Sequence, residues 1–184
     1  MSRIADRLYV GAESDSIDRK QLANNKITHM VRMDEEPESS WQSPSITYQL
    51  IKASDREDFD LRPFFPGVND FVHEARLGGG VVLVHCMAGA SRSVTMTIAY
   101  LMSVTDYGWS DVFRFVKHAR TQAHPNFGFV RQLEEFEKQG LAEERHRLRV
   151  KFSLTEGEDR LGDNAAIKTV LDILNEKSGK QKEQ

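Results

Sequence analysis

The feature that most constrains the fold is a short apolar segment followed closely by a long apolar helix. Residues 81–85 read VVLVH after three glycines, and such a β-branched run is typical of a strand buried on both faces. Residues 93–105, SVTMTIAYLMSVT, are apolar on nearly every side, which predicts a helix at the centre of its domain. A buried strand and a buried helix both need further layers around them. We therefore predict an α/β domain with the helix over 92–105 buried centrally.

Strand-like and helix-like patterns alternate through the first 150 residues. Further strands are predicted at 8–10, 27–33 and 46–51, with a polar loop at 34–45. Further helices are predicted from a cap within 14–16 to about 25, from 63 to the glycines at 78–80, from a cap at Ser110 to 119, and from 126 to 136. Together these patterns predict a central mixed sheet of four or five short strands flanked by helices.

Composition and charge exclude several classes of protein. The 184 residues are 39% hydrophobic and 29% charged, an ordinary globular mixture that fits one domain. The 25 basic and 28 acidic residues give a net charge of −3, which argues against a nucleic-acid partner. No run approaches the ~18 apolar residues of a membrane span, and the opening MSRIADRLYV lacks the apolar stretch of a signal peptide. We expect a monomer located in the cytoplasm, and also in the nucleus.

The single cysteine, Cys86, excludes an intramolecular disulfide and a cysteine-cluster metal site. It follows the strand at 81–85, and a turn with a central glycine separates it from Arg92 at the start of the long helix. The backbone N–H groups of such a turn and of a helix's first turn form a concave anion site. The guanidinium of Arg92 can bind two oxygens of a phosphate. The predicted phosphate-binding loop consists of Met87, Ala88, Gly89, Ala90, Ser91 and Arg92.

This positive environment also favours the negatively charged form of the thiol. A free cysteine titrates near ~8.5, and a helix N-terminus or a neighbouring arginine lowers that value. The hydroxyl of Ser93 can donate a further hydrogen bond to the sulfur. We therefore expect Cys86 to be a thiolate nucleophile that transfers a phosphoryl group through a cysteinyl-phosphate. The histidines show no metal-ligand spacing, and we expect neither a metal nor a cofactor.

The stretch HCMAGASRS at 85–93 resembles the HCxxGxxR[S/T] signature of the protein tyrosine phosphatase superfamily, in its dual-specificity form. The similarity extends through LYVG at 8–11, ASD at 53–55 and HPNFGF at 124–129, so it covers about residues 4 to 140. VTDYGW and RQLEEFEK are most similar to the small atypical dual-specificity phosphatases of the JNK-stimulatory branch. Members of that branch often carry a myristoylated glycine after the initiator methionine. Ser2 stands there in this chain, so we expect no membrane anchor.

The resemblance implies a three-layer protein tyrosine phosphatase-like fold and a general acid for the leaving oxygen. Phosphoryl transfer needs such an acid because an alkoxide or phenolate leaves poorly near neutral pH. The loop at 54–61 offers Asp55, Asp58 and Asp60. By resemblance the general acid is Asp55, and Asp58 and Asp60 are interpreted as ordinary loop residues.

Three further residues are predicted near the phosphate-binding loop. Successive strand residues point to opposite faces, so we expect His85 to lie behind the loop, to hydrogen-bond backbone there and to shape it. Asn126 is expected to brace the loop without contacting substrate. For Arg120 two interpretations remain open, a position at the pocket rim and a structural salt bridge.

The chain is predicted to divide into a catalytic domain over 1–151 and a C-terminal tail over 152–184. Apolar residues at i, i+3, i+4 and i+7 from Ile167 predict one short amphipathic helix, about 164–177, before a disordered polar end. The apolar face of this helix is expected either to pack on its own domain or to dock onto a partner.

Three functions are compatible with these residues. The first is hydrolysis of phosphotyrosine and phosphoserine/threonine in proteins, with phosphoproteins of kinase signalling, including MAP-kinase pathway components, as partners. The second is a catalytically weak scaffold that holds phosphoproteins, and the intact set Cys86, Arg92 and Asp55 argues against it. The third is the same chemistry on a non-protein phosphate ester. Highly charged esters are disfavoured because the variable loop positions hold no lysine or arginine.

Overall fold

The computed structural model describes residues 1–37, 42–155 and 158–182. Its centre is a five-stranded sheet in the order β1-β2-β5-β3-β4. β1 pairs antiparallel with β2, and the other neighbours are parallel, so the prediction of a mixed sheet is confirmed. The strands are β1 Ser2–Ala5, β2 Leu8–Gly11, β3 His29–Asp34, β4 Thr47–Lys52 and β5 Val82–His85.

Helices pack on both faces of this sheet and complete the three-layer architecture. None of those in the described ranges is long and apolar enough to cross a membrane. A 3₁₀ turn, Arg62–Phe64, precedes α3. The α-helices are α1 Glu13–Ile17, α2 Arg19–Asn24, α3 Phe65–Leu77, α4 Arg92–Val104, α5 Trp109–Ala119, α6 Phe127–Gln139, α7 Leu141–Phe152 and α8 Asp163–Lys182.

The central strand and central helix lie where the sequence predicts them. All four residues of β5 are buried, and so is every residue of α4 from Arg92 to Ser103. β5 runs between β2 and β3 in parallel with both. The connection from β5 to α4 therefore lies at the carboxyl end of the middle strand, where the neighbouring strands also end.

Several element boundaries differ from the sequence prediction. β1 was not predicted, because its sequence, SRIA, shows neither an apolar run nor an alternation of apolar and polar residues. The predicted first helix is two helices, since the Asp18 side chain accepts the Gln21 N–H and starts a new one. Gly108, not Ser110, is the N-cap residue of α5.

The C-terminal helix packs on the domain. In α8, Ile167 and Leu171 are buried in the main core, which favours the first of the two predicted roles for its apolar face. The helix runs to Lys182 rather than ending near 177, so the polar segment is helical that far. Residues 183 and 184 lie outside the described part.

A buried ion pair joins the start of α8 to α3. The Arg76 guanidinium donates to both carboxylate oxygens of Asp163 at 2.7 and 2.8 Å. The two side chains are 0% and 2% exposed. Arg76 also donates to the carbonyl of Asp6 and to the hydroxyl of Tyr100, so one cation ties α8 to the turn after β1 and to the core.

Replacing Asp163 is therefore expected to destabilise the whole domain. Asp163→Ala leaves the Arg76 charge buried without its carboxylate, a loss of about 3–5 kcal/mol in the free energy of unfolding. The exposed Lys168–Asp172 pair of the same helix provides the control, and Asp172→Ala is expected to change stability by less than about 1 kcal/mol. Urea unfolding of both variants measures the difference. Equal, small losses in the free energy of unfolding for both variants would mean that α8 does not unfold cooperatively with the rest of the domain.

A buried histidine adjoins this ion pair. His73 Nδ1 lies 3.0 Å from the hydroxyl of Tyr100. Burial lowers the pKa of His73 to about 4, with Arg76 and Arg160 adding to the effect and Asp70 opposing it. The unfolded chain binds a proton at this residue near pH 6.5, and the folded chain does not.

The free energy of unfolding is thus expected to be fully retained above pH 6.5 and to fall as the pH decreases toward 4. His73→Gln removes this contribution, so the loss in stability between pH 7 and pH 4.5 shrinks by about 2 kcal/mol. The exposed His146 is the control, and His146→Gln should leave the loss unchanged. Urea unfolding across this pH range provides the measurement, and identical pH dependence in both variants would contradict the assignment.

Candidate active site

The cysteine lies at the floor of a loop between β5 and α4. β5 ends at His85 and α4 begins at Arg92, so the six residues between strand and helix bend tightly at the sheet edge. Cys86 is 2% exposed. Its Sγ lies 3.3 Å from the Ser93 hydroxyl, which places a hydrogen-bond donor from the first turn of α4 against the sulfur.

Four successive carbonyl groups of this loop point away from its interior. Each accepts a hydrogen bond from a different part of the chain. The donors are Glu13 N to Met87 O at 3.1 Å, Gln122 Nε2 to Ala88 O at 3.4 Å, Arg120 Nε to Gly89 O at 2.6 Å and His124 N to Ala90 O at 2.8 Å. In a trans peptide the N–H points opposite to the C=O. The N–H groups of residues 88–91 therefore face the inside of the curve and form a cradle for an anion.

Gly89 is required at the tightest point of the loop. Its φ is +64°, in the left-handed region that glycine adopts without strain. A side chain there would overlap the carbonyl of Gly11 and the guanidinium of Arg120. The loop packs directly on the end of β2 as a result.

Arg120 lies behind the loop, which corrects both interpretations of this residue. It is 5% exposed, so it is not at the pocket rim, and its guanidinium contacts oxygens that carry no formal charge. It donates to the carbonyls of Gly89 and Val10 and to the hydroxyl of Ser2. Arg120 thus fastens the loop to β1 and β2. Sequence patterns could not identify this role because every partner is distant in the chain.

Arg92 lies across the loop with a free hydrogen-bond donor. Its Nη1 donates to the carbonyl of Ala53 at 2.9 Å. Its Nε is buried, lies 3.6 Å from Asp55 Oδ2 and makes no hydrogen bond to any described residue. A buried donor without a partner is costly, and a bound oxyanion would satisfy it. This orphaned donor indicates that the loop is built for an anionic ligand.

Asp55 is held beside Arg92 by two hydrogen bonds to the same carboxylate oxygen. Ser91 Oγ donates to Oδ1 at 2.6 Å and Asn126 Nδ2 donates to it at 2.9 Å. The Ser91 hydroxyl accepts the Asn126 backbone N–H at 3.2 Å. Both hydrogen bonds fall on Oδ1, and Oδ2 lies 3.6 Å from Arg92 Nε. Asn126 thus contacts the loop as predicted, and its side chain also positions the carboxylate.

The loop that carries Asp55 packs on α6 through two residues that the sequence analysis did not identify. Gly128 lies against Glu57, and a side chain at Gly128 would overlap the Glu57 carbonyl. The Gln132 side chain accepts the Leu61 N–H and donates to the carbonyl of Phe59, both at 2.8 Å. These residues lie in the 124–133 stretch, but only the fold shows which loop they support.

The other two acidic residues of this loop, Asp58 and Asp60, form ion pairs with arginines close to them in the chain. Asp58 pairs with Arg56 at 2.6 Å, and Asp60 pairs with Arg62 at 2.8 Å. Both pairs are exposed at the surface. Within the described residues no group of histidine, cysteine and carboxylate side chains could hold a metal ion. Of the three acids, Asp55 is the one that contacts the phosphate-binding loop, through Ser91 and Arg92.

His85 is buried, and its ring lies near the backbone of Cys86. Neither ring nitrogen has a hydrogen-bond partner of normal geometry among the residues described. Burial lowers the pKa of His85 to about 4, and Arg32 adds to this effect, while the backbone of Cys86 partly opposes it. His85 is neutral near pH 7 as a result, and it acts by filling space beneath the loop.

This arrangement combines a buried thiol, an amide cradle, a guanidinium with a free donor and a carboxyl group. Such a site can accept a tetrahedral oxyanion, attack its central atom and protonate a leaving oxygen.

Known proteins with similar sequences are phosphatases, which agrees with the chemistry of this site. Residues 8–139 match the family model described as dual specificity phosphatase, catalytic domain. Mouse dual specificity protein phosphatase 22 is 41% identical over 171 residues, covering 93% of this chain and 90% of the relative. Rat dual specificity protein phosphatase 15 is 45% identical over 136 residues, covering 74% of this chain and 57% of the relative.

Solved structures share the fold. The crystal structure of DUSP15 has a TM-score of 0.80 at 39% identity, covering 84% of this chain and 98% of that one. A human tyrosine phosphatase-like serine/threonine/tyrosine-interacting protein has a TM-score of 0.70 at 31% identity, covering 75% of this chain and 95% of that one. The sheet, the loop at Cys86 and the extent of these matches show that the chain belongs to the dual specificity phosphatase family.

Proposed function

We propose that this protein hydrolyses phosphotyrosine and phosphoserine/threonine in proteins through a phosphoryl group carried on Cys86. The observation that carries this proposal is the Nε of Arg92, a buried donor without a hydrogen-bond partner among the described residues. Arg92 begins α4 at the end of the loop that encloses the buried sulfur of Cys86. An anion bound in the loop satisfies this donor and the inward amides together.

In the first step the thiolate of Cys86 attacks phosphorus, and the bond from phosphorus to the ester oxygen breaks. Asp55 gives its proton to that oxygen, so the product leaves as a neutral alcohol or phenol. Arg92 and the loop amides bind the equatorial oxygens, on which negative charge is spread in the transition state.

In the second step water attacks the phosphorus of the cysteinyl-phosphate and the phosphorus–sulfur bond breaks. Asp55, now a carboxylate, accepts the proton of the water. The sulfur leaves as a thiolate, and the hydroxyl of Ser93 at 3.3 Å stabilises that charge. Free phosphate then departs and the initial state is restored.

The proposal extends to the setting in which the enzyme acts. Its substrates are phosphoproteins of kinase signalling, MAP-kinase pathway components among them, and it acts as a monomer in the cytoplasm and nucleus. The need to keep Cys86 as a thiol supports a location in a reducing compartment, because only the unoxidised sulfur can act as the nucleophile. The loop presents Met87, Ala88 and Ala90 at its variable positions, which supports a singly phosphorylated side chain over a highly charged ester.

Two substitutions are expected to separate binding from turnover. Cys86→Ser should reduce hydrolysis of phenyl phosphate to background while vanadate still binds, because the cradle and Arg92 remain. Arg92→Ala should weaken vanadate binding about 10- to 100-fold and also abolish turnover. The exposed Arg3, paired with Asp6, is the control, and Arg3→Ala should change neither. Phosphatase activity in Cys86→Ser would show that the cysteine is not the nucleophile.

The role of Asp55 as general acid can be tested by comparing substrates whose leaving groups differ in acidity. Asp55→Asn should slow hydrolysis of phenyl and alkyl phosphates about 10²- to 10⁴-fold. It should slow aryl phosphates with acidic phenols much less, because those leave without protonation. The basic limb of the pH–rate profile should disappear as well.

Asp58→Asn is the matched control, since Asp58 lies on the same loop and binds only Arg56 among its described contacts. Its rates should equal those of the wild type on both substrate classes. If Asp55→Asn lost the same factor on both classes, the general acid would have to be another residue.

A further inference from the structure

Arg120 is a buried cation that forms no ion pair with any described carboxylate. It is 5% exposed, and it donates to the Gly89 carbonyl at 2.6 Å, the Ser2 hydroxyl at 3.1 Å and the Val10 carbonyl at 3.3 Å. All three acceptors are neutral. Burying a charge without an opposite charge is costly, and a neutral amide could donate to the same oxygens at a smaller cost. Fastening the loop therefore does not by itself explain why the side chain at this position is charged.

The shortest of these hydrogen bonds connects Arg120 to the anion cradle through a single peptide group. The Gly89 carbonyl and the Ala90 N–H belong to one planar amide. Because Arg120 holds the carbonyl on the outside of the loop, the N–H of the same amide faces the inside. A cation on the carbonyl polarises the amide and makes its N–H a stronger donor. An oxyanion bound to that N–H would lie about 8 Å from the guanidinium.

The charges around Arg120 also favour an anion in the loop. Burial lowers the pKa of the Arg120 guanidinium, and the negative charges of Asp15 and Cys86 act in the opposite direction. The Asp15 carboxylate accepts hydrogen bonds from Ala12 and Gln21 and makes none with Arg120. Coulomb interaction is mutual, so a negative charge in the loop stabilises the buried cation and is stabilised by it to the same extent.

We infer that Arg120 is a positioning residue whose positive charge strengthens the binding of anions in the phosphate-binding loop, acting through the amide shared by Gly89 and Ala90. This inference rests on the proposed phosphatase function. It adds a second cation to the site, one that lies behind the loop and acts without touching the substrate, whereas Arg92 binds the phosphate oxygens directly. Because Coulomb energy is proportional to charge, the contribution should be larger for a doubly charged anion than for a singly charged one.

Two variants and two anions separate the charge of Arg120 from its hydrogen bonds. Arg120→Gln retains an amide donor but carries no charge, and Arg120→Lys retains the charge. Sulfate and perchlorate are both tetrahedral oxyanions, the first doubly and the second singly charged near neutral pH. Binding of each is measured as protection of Cys86 from alkylation by iodoacetamide at constant ionic strength, which requires no turnover.

Arg120→Gln should weaken the binding of perchlorate about five- to tenfold and the binding of sulfate about 25- to 100-fold, because the Coulomb energy that is lost doubles with the charge of the anion. Arg120→Lys should stay within about threefold of the wild type for both anions. Arg120→Met is a second neutral variant, and it should show the same larger loss for sulfate than for perchlorate.

Arg145→Gln is the matched control. Among its described hydrogen bonds Arg145 also donates only to carbonyls, those of Met102 and Tyr107, both at 3.0 Å, and these lie at the far end of α4 from the loop. This variant should change the binding of neither anion.

Equal losses for the two anions in Arg120→Gln, or the same losses in Arg120→Lys as in Arg120→Gln, would overturn the role of the charge while leaving the proposed function in place. A wild-type protein in which sulfate did not protect Cys86 would overturn the anion site, and the proposed function with it. Protection by sulfate in a wild type that hydrolysed no phosphate ester would overturn the proposed hydrolysis alone.

Discussion

Hydrogen bonds to the carbonyls of residues 87–90 are the constraint on which the rest of the site depends. A loop of this size could equally turn its carbonyls inward and repel an anion. Here Glu13, Arg120, Gln122 and His124 each hold one carbonyl outward, so the amides must face the thiol. These four donors come from α1 and from the segment after α5. The loop therefore adopts this conformation only when those parts of the domain are folded around it.

Asp55, the proposed general acid, is coupled to the same loop. Ser91 belongs to the phosphate-binding loop and donates to Asp55, while Asn126 binds both of them. The carboxyl group is thereby positioned relative to the sulfur by one short network rather than by a loop moving independently. Both hydrogen bonds fall on one oxygen, and the other oxygen lies beside the Arg92 guanidinium. Placement of the acid and shape of the anion site are consequences of the same contacts.

Features of the site encoded in a continuous stretch of sequence could be predicted, and features made by distant contacts could not. The strand at 82–85, the loop and α4 follow one another directly, so their pattern predicts the fold's centre and the positions of Cys86 and Arg92. The choice of Asp55 among the loop acids came from family resemblance. The role of Arg120 was missed because its partners, Gly89 and Val10, lie 31 and 110 residues away. The sequence of β1, SRIA, shows neither an apolar run nor an alternation, and the buried Arg76–Asp163 pair joins positions 87 residues apart.

The central claim is that phosphate passes through a covalent bond to Cys86. The most direct measurement is a rapid acid quench of the wild-type enzyme during turnover of an aryl phosphate, followed by mass spectrometry of the proteolytic peptides. The account predicts one phosphoryl group on the peptide that contains Cys86, which disappears when substrate is exhausted and never forms in Cys86→Ser. Sustained turnover with no phosphoryl group on that peptide, or with one attached to another residue, would contradict it.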